Sequence, residues 1–233
     1  MDFGIGILKK IVKKMINMLF SFFSTLCNIV FGDRLPYYCP CCNTYLLKFK
    51  DGGYMRRPNK FNPKRYEGLD QKVICPVCNS LPRHRILSLW MQENKHLLEN
   101  RKILYFAQEK SIKRWCKKNH IECTSADLYA KADINIDIED TGLADSSYDM
   151  VFCNHVLEHV QDYKRALKEL YRIIDPKGII VLSFPVDTKL ETVYEDNSIV
   201  TEEDRVKHFG QYDHRRVFGR DLRKILEIIN AFC

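Results

Sequence analysis

Residues Tyr148–Pro185 read YDMVFCNHVLEHVQDYKRALKELYRIIDPKGIIVLSFP, and the spacing of their apolar positions decides the fold. Met150-Val151-Phe152-Cys153 is a short continuous apolar run, the pattern of a strand buried on both faces. Val160, Tyr163, Leu167, Leu170 and Ile174 then recur at spacings of three and four, which lays one apolar stripe along a helix. Asp175-Pro176-Lys177-Gly178 predicts a stop and a turn. Gly178–Phe184 is a second apolar, β-branched run. Two buried strands joined by an amphipathic helix make a parallel βαβ unit, whose crossover is almost always right-handed.

Upstream of this unit, Lys102–Phe106, Glu122–Ala126 and Ile134–Ile138 read as three further strands. A ligand in such an open α/β sheet sits across the carboxyl ends of the strands. The 233 residues suit one α/β domain with a small appendage. Charge is uneven: residues 1–100 hold 16 Lys/Arg against 7 Asp/Glu, and residues 101–233 hold 21 against 23. The basic half is suited to a membrane, a nucleic acid or a phosphorylated substrate, or is simply a solvated surface. Ten cysteines are too few for a secreted disulfide scaffold of this length, which points to a reducing compartment.

Four of those cysteines stand in metal spacing. Cys39-Pro40-Cys41-Cys42 and Cys75-Pro76-Val77-Cys78 offer two knuckles, and Cys39, Cys42, Cys75 and Cys78 are the expected ligands of a structural Zn2+. Cys41 is the spare. Lys48–Tyr66, rich in Gly, Pro, Arg and Lys, reads as a hairpin with a long basic loop. Pro82 opens a helix expected to run to about Leu98, with Ile86, Leu89, Trp90 and Leu97 on its buried side. Arg83-His84-Arg85 in its first turn is either an anion contact or a set of ion pairs.

At the amino end, Lys9, Lys10, Lys13 and Lys14 precede an apolar run from Met15 to Phe31. Asn17, Ser21, Ser24 and Asn28 mark one polar stripe on it. Residues 5–31 are therefore expected to form an amphipathic helix in a membrane interface, with cover for an apolar protein surface and a membrane span as the other readings.

The wording of the central stretch is more specific than its pattern. Leu143-x-x-Ser146-Ser147-Tyr148-Asp149, Asn154-His155-Val156-Leu157-Glu158-His159-Val160 and Leu167-x-Glu169-Leu170-x-Arg172-Ile173-Ile174-Asp175-Pro176-Lys177-Gly178 resemble class I S-adenosylmethionine (SAM) methyltransferases. The nearest likeness is to the ubiquinone and menaquinone biosynthesis branch, over residues 102–186. The resemblance implies a doubly wound, Rossmann-like methyltransferase sheet. It also implies that Asp127 holds the ribose hydroxyls of SAM, that Asp137 and Ile138 hold the adenine, and that Asn154 lines the same cleft. The loop-capping reading of the two aspartates stays open. Family members carry a glycine-rich turn after the first strand, where this chain has Phe106-Ala107-Gln108-Glu109. Phe106, Ala107 and Glu109 would then form that end of the cofactor site, with Glu109 facing the SAM amino group.

Methyl transfer to oxygen or nitrogen needs alignment and a base. The candidates are His155, His159, His208 and His214; His208 and His214 are favoured, because they share a charged, aromatic segment, Arg205–Arg216, expected to be a loop. That segment resembles the acceptor loop of methyltransferases of bacterial glycan-assembly gene clusters, some with a Cys-rich amino-terminal segment. Asp221–Asn230 reads as a helix, and the sixth and seventh strands of the family are not found after it. The expected layout is a helix over 1–34, a four-cysteine zinc ribbon over 35–81 and a methyltransferase-like domain over 82–233. The expected activity is SAM-dependent methylation of a small-molecule or glycan acceptor, in polysaccharide biosynthesis, by a cytoplasmic protein peripheral to the inner face of the membrane. The alternatives are a non-catalytic zinc-binding scaffold and an RNA methyltransferase, although nucleic acid is the less expected partner.

Overall fold

A computed structural model describes residues 2–52, 72–221 and 227, with the backbone alone for 2–13 and 17. The chain divides into two compact units, one including residues 72–95 and 110–119 with the amino-terminal segment, the other including 96–109 and everything described from 120 onward.

In the first unit, α1 (Asp2–Phe31) is followed by an antiparallel pair, β1 (Tyr37–Cys39) with β2 (Thr44–Leu46), and a second pair, β3 (Lys50–Asp51) with β4 (Lys72–Ile74). Residues 53–66, most of the expected hairpin and basic loop Lys48–Tyr66, lie outside the described residues. Two members of the polar stripe of α1 turn inward: Ser24 is buried and Asn28 Oδ1 accepts from the Tyr45 amide at 2.6 Å. The apolar side chains Met18, Leu19, Phe22, Phe23, Ile29 and Val30 are exposed.

Helix α2 (Pro82–Glu93) stops short of Leu98, because Asn94 caps it with both its amide and Nδ2 on the Trp90 carbonyl. It also buries a different face from the one expected. Ile86 and Leu89 are exposed, whereas His84, Ser88 and Met91 are buried. The polar members of that face have specific partners: Ser88 Oγ accepts from the spare thiol of Cys41 at 3.3 Å, and His84 Nδ1 lies 3.1 Å from Ser111 Oγ of α3 (Lys110–Lys118).

The second unit is built on a parallel sheet of β5 (Ile103–Phe106), β6 (Thr124–Asp127), β7 (Ile134–Asn135), β8 (Tyr148–Asn154) and β9 (Ile174–Ser183), in spatial order β7-β6-β5-β8-β9. This is an open α/β sheet of the Rossmann-like class, and strand order reverses between β5 and β8, the place where such sheets bind ligands. Helix α4 (Tyr163–Ile173) returns from β8 to β9; Asp162 caps it by accepting from the Lys164 and Arg165 amides, and Ala166, Leu167, Leu170 and Ile173 enter the core beside Val151 and Cys153.

Two local readings change. Asp175-Pro176-Lys177-Gly178 does not precede the second strand but bulges within it: Tyr148 pairs with Ile174, and Met150 already pairs with Ile179. Gly178 is required there, since a Cβ would lie 2.5 Å from Ile174 Cγ1 and 2.9 Å from the Asp149 carbonyl. Strand β7 is only two residues long, because Asp137 leaves the ladder for an isolated bridge to Asp140.

Beyond β9, Val186 pairs in parallel with Phe218, which is fully buried against Tyr163 and Phe184 and extends the edge of the sheet. Strand β10 (Tyr194–Glu195) pairs antiparallel with β11 (Arg216–Val217). The segment expected to be a loop instead contains α5 (Glu202–Phe209). Its ends explain it: Thr201 caps the start, Glu202, Glu203 and Asp204 fill the first turn, Lys207 and His208 fill the last, and Gly210 closes it at φ +86°. Most of the expected helix Asp221–Asn230 lies outside the described residues.

Candidate active site and metal centre

The carboxyl ends of the strands carry most of the residues expected to hold a cofactor. A polar chain crosses them: Ser183 Oγ donates to Asn154 Oδ1 at 2.7 Å, Asn154 Nδ2 to the Tyr105 hydroxyl at 3.0 Å, and that hydroxyl to Glu109 Oε2 at 3.0 Å. Tyr105 is fully buried and Asn154 nearly so. The chain therefore fixes Glu109 at the exit of β5 through the buried Tyr105 and Asn154.

The glycine-free turn keeps the backbone shape that a glycine would supply. Ala107 stands at φ +51°, and its amide donates to the Ala126 carbonyl at 2.8 Å. His155, at the exit of the neighbouring β8, is also left-handed at φ +54°, with its amide on the Ser183 carbonyl at 2.7 Å. Such conformations are unfavourable for residues with a Cβ and collect at ligand sites. A small methyl at Ala107 and a left-handed turn leave room for a cofactor to approach the backbone, so the residues present fit SAM.

Asp127 ends β6, and its Oδ1 accepts from the Tyr129 and Ala130 amides at 2.8 and 2.7 Å. Asp137 Oδ1 accepts from the Glu139 amide at 2.9 Å. Both aspartates thus make the loop-capping bonds through one oxygen, and among the described residues no hydrogen bond reaches either Oδ2. Ile138 is buried in the core cluster, as is Phe106.

The two favoured histidines fall in different clusters. His208, on α5, has Nδ1 2.8 Å from the Tyr194 hydroxyl. His214 lies edge-on to His159, with ring centroids 4.8 Å apart. Burial, then the neighbouring His159, pushes its pKa down to about 4, so it is neutral at pH 7 and a weak proton acceptor. His155 Nδ1 meets Glu158 Oε1 at 3.1 Å, and His159 Nδ1 meets Asp213 Oδ2 at 3.3 Å. The segment around His214 is stitched to the loop after β8. The Arg215 amide donates to the Glu158 carbonyl at 2.8 Å, and the buried Arg216 guanidinium donates to the carbonyls of Leu157, Val160 and Gln161 at 2.6 to 2.8 Å.

In the first unit the sulfurs of Cys39, Cys42, Cys75 and Cys78 lie within 4.8 Å of one another. Cys39–Cys78 and Cys42–Cys75 are 3.7 and 3.8 Å apart. A tetrahedral zinc with sulfurs at about 2.3 Å has edges of about 3.8 Å, so the donor set fits that ion. Each knuckle ends in a left-handed asparagine, Asn43 at φ +56° and Asn79 at φ +58°, so the two share the form Cys-Pro-x-Cys-Asn. Hydrogen bonds from the neighbouring thiols, Cys41 first, draw Cys39 toward thiolate. Arg85 is committed here rather than to an anion: its Nη1 donates to the Val73 and Ser80 carbonyls at 2.9 and 3.1 Å.

Residues 109–182 match the family model described as a methyltransferase domain. That stretch, about a third of the chain, is similar to a methyltransferase domain. The match supports a methyl-transferring enzyme. Among solved structures, the chain is similar to a SAM-dependent methyltransferase from Archaeoglobus fulgidus, at 17% identity over 62% of this chain and 67% of that one, with a TM-score of 0.45. It is also similar to a SAM-dependent methyltransferase from Thermotoga maritima, at 17% identity over 60% and 67%, with a TM-score of 0.39. No curated protein matches the sequence.

Sequence reasoning on this chain missed Tyr105 and Ser183, which look like ordinary strand residues until the sheet sets them beside Asn154. It missed Arg216 because a guanidinium in a charged segment reads as surface. The paired asparagines were readable, as the residue following each knuckle.

Proposed function

We propose that the protein transfers a methyl group from SAM to an oxygen or nitrogen of a hydroxylated small molecule or glycan. The observation that carries this reading is the Ser183–Asn154–Tyr105–Glu109 chain beside the left-handed Ala107, a prepared ligand surface at the switch point of the sheet. SAM supplies an activated methyl on a sulfonium. Asp127 would take the ribose hydroxyls, Asp137 and Ile138 would hold the adenine, and Glu109 would face the amino group. His208, held by Tyr194, accepts the acceptor's proton. A glycan or other polyhydroxyl acceptor suits an acceptor side made of histidines and a tyrosine rather than an apolar pocket. The four cysteines hold a structural zinc that stabilises the first unit.

Helix α1 sets the enzyme against a membrane. Lys14–Arg34 is long and apolar enough to cross one, lysines precede it, and Leu19, Phe22, Phe23, Ile29 and Val30 are exposed. Flotation with vesicles containing anionic lipid is expected to carry the full chain, and Phe22→Asp with Ile29→Asp is expected to abolish it.

Calorimetric titration of the zinc-loaded protein with S-adenosylhomocysteine tests the main reading. Micromolar binding that weakens at least tenfold in Asp127→Ala is expected. Folded protein that fails to bind would sink the enzymatic reading and leave a scaffold.

A further inference from the structure

Glu158, His159 and His214 present one carboxylate oxygen and two imidazole nitrogens within 4.8 Å of one another. Their surroundings are unlike those of a surface ion pair. Glu158 is almost wholly buried, and only one of its oxygens is used: Oε1 meets His155, while Oε2 is buried without a hydrogen-bond partner among the described residues. An orphaned buried carboxylate oxygen is costly, and its position calls for a cation. The nearby guanidiniums do not answer. Arg216 is spent on three carbonyls and Glu195, and Arg215 Nε donates to the His159 carbonyl. What converges with a Glu158 carboxylate oxygen is the pair of half-buried imidazoles, one edge-on to the other.

The framework is also that of a ligand set. Asp213 stands on Nδ1 of His159, the kind of carboxylate partner that fixes the ring of a metal-ligating histidine, and Gln211 Nε2 donates to Asp213 Oδ1 at 2.8 Å. The Arg215–Arg216 clasp holds the His214 segment against the loop that carries Glu158 and His159. A divalent ion with donors at about 2.0–2.2 Å brings its ligands about 3.0–3.5 Å apart, a closure within reach of side-chain rotation.

We infer that Glu158, His159 and His214 form a site for one divalent first-row transition ion, whose remaining coordination positions take an oxygen of the methyl acceptor. Two imidazoles and one carboxylate suit zinc, cobalt, manganese or iron(II) and leave positions open, unlike the closed cysteine set. An ion there lowers the pKa of a bound hydroxyl and orients it, which makes a hydroxyl-bearing acceptor the substrate class. The acceptor half of this inference rests on the methyl-transfer reading; the ion site does not.

Equilibrium dialysis of the full-length, zinc-loaded protein against Co2+ tests the site. The expected result is one equivalent of Co2+ with weak visible bands of nitrogen and oxygen ligation and no sulfur-to-cobalt charge-transfer band. Glu158→Gln and His214→Gln are each expected to weaken it tenfold or more, with zinc content and circular dichroism unchanged. No such equivalent in the wild type, or equal retention in both folded variants, overturns the site. Should the variants lose their fold, the wild-type spectrum alone decides. Binding of S-adenosylhomocysteine is scored separately: Co2+ bound without it upholds the ion site and sinks the methyl-transfer reading, whereas the reverse overturns the ion site alone.

Discussion

The two polar clusters of this chain differ in how they are closed. Cys39, Cys42, Cys75 and Cys78 meet from two knuckles of the same Cys-Pro-x-Cys-Asn form, and their four sulfurs lie within 4.8 Å of one another. Glu158, His159 and His214 meet from two unrelated segments, offer three donors, and depend on Arg216 and Asp213 to be held in place. The first arrangement spends every position on protein and can only stabilise. The second leaves positions for something else. The cysteine set sits among two-residue and three-residue strands that bury little by themselves, whereas the histidine set is grafted onto a five-stranded sheet that folds around its own core.

The largest effect that tests this contrast is on the cysteine side. Structural zinc in small domains contributes about 10–16 kcal/mol of apparent binding free energy. Cys75→Ser is therefore expected to release the zinc and unfold the first unit, seen as lost metal content and a lost tyrosine signal in near-ultraviolet circular dichroism. A variant that stays folded and metal-free would erase the distinction. Next in size is the clasp. Arg216→Met strands three carbonyls of the loop after β8 and is expected to cost about 2–4 kcal/mol in urea unfolding. A cost near zero would mean that the open cluster does not need its strap.

Smaller is the helix behind that cluster. The Arg172 guanidinium beside Glu169 holds its carboxyl down to about 2 from the ordinary 4.5, helped by the Thr141 amide and hydroxyl. The folded state favours the charged form, so this stabilisation is present above about pH 4.5 and is lost as pH falls toward 2. Glu169→Gln is expected to cost about 1 kcal/mol at pH 7 and to flatten the acid limb of the stability curve. An unchanged acid limb would rule the pair out. Smallest is Ala107→Gly, expected to stabilise by up to about 1 kcal/mol by relieving the left-handed turn, partly offset by chain entropy. Loss of stability would mean that the methyl group of Ala107 packs usefully.

The βαβ unit was legible because both of its signals are local: an apolar run and a 3.6-residue stripe. The start of β9 was not, since Asp175-Pro176-Lys177-Gly178 has turn chemistry, and only pairing with Tyr148 and Met150 shows it as a bulge. The buried face of α2 was misread for a similar reason. Periodicity favours Ile86 and Leu89, but the thiol of Cys41 and the hydroxyl of Ser111 select Ser88 and His84. Strand-end aspartates could be located from sequence, while the hydroxyl that links Asn154 to Glu109 could not, because Tyr105 is apolar by pattern and polar by position. Glu158 and His159 were visible as residues; their convergence with His214 is a product of the long return of the chain through α5.

Helix α1 turns Ser24 and Asn28 inward, toward β2 in the case of Asn28, and leaves Leu19, Phe22, Phe23, Leu26 and Ile29 exposed. In aqueous buffer that arrangement is self-adhesive. Oligomers seen by gel filtration without detergent would report on the greasy flank of one helix, and kinetic constants measured on them would mix enzyme behaviour with colloid behaviour. Assays in detergent or on vesicles separate the two, so the amphiphile belongs among the reagents from the first experiment.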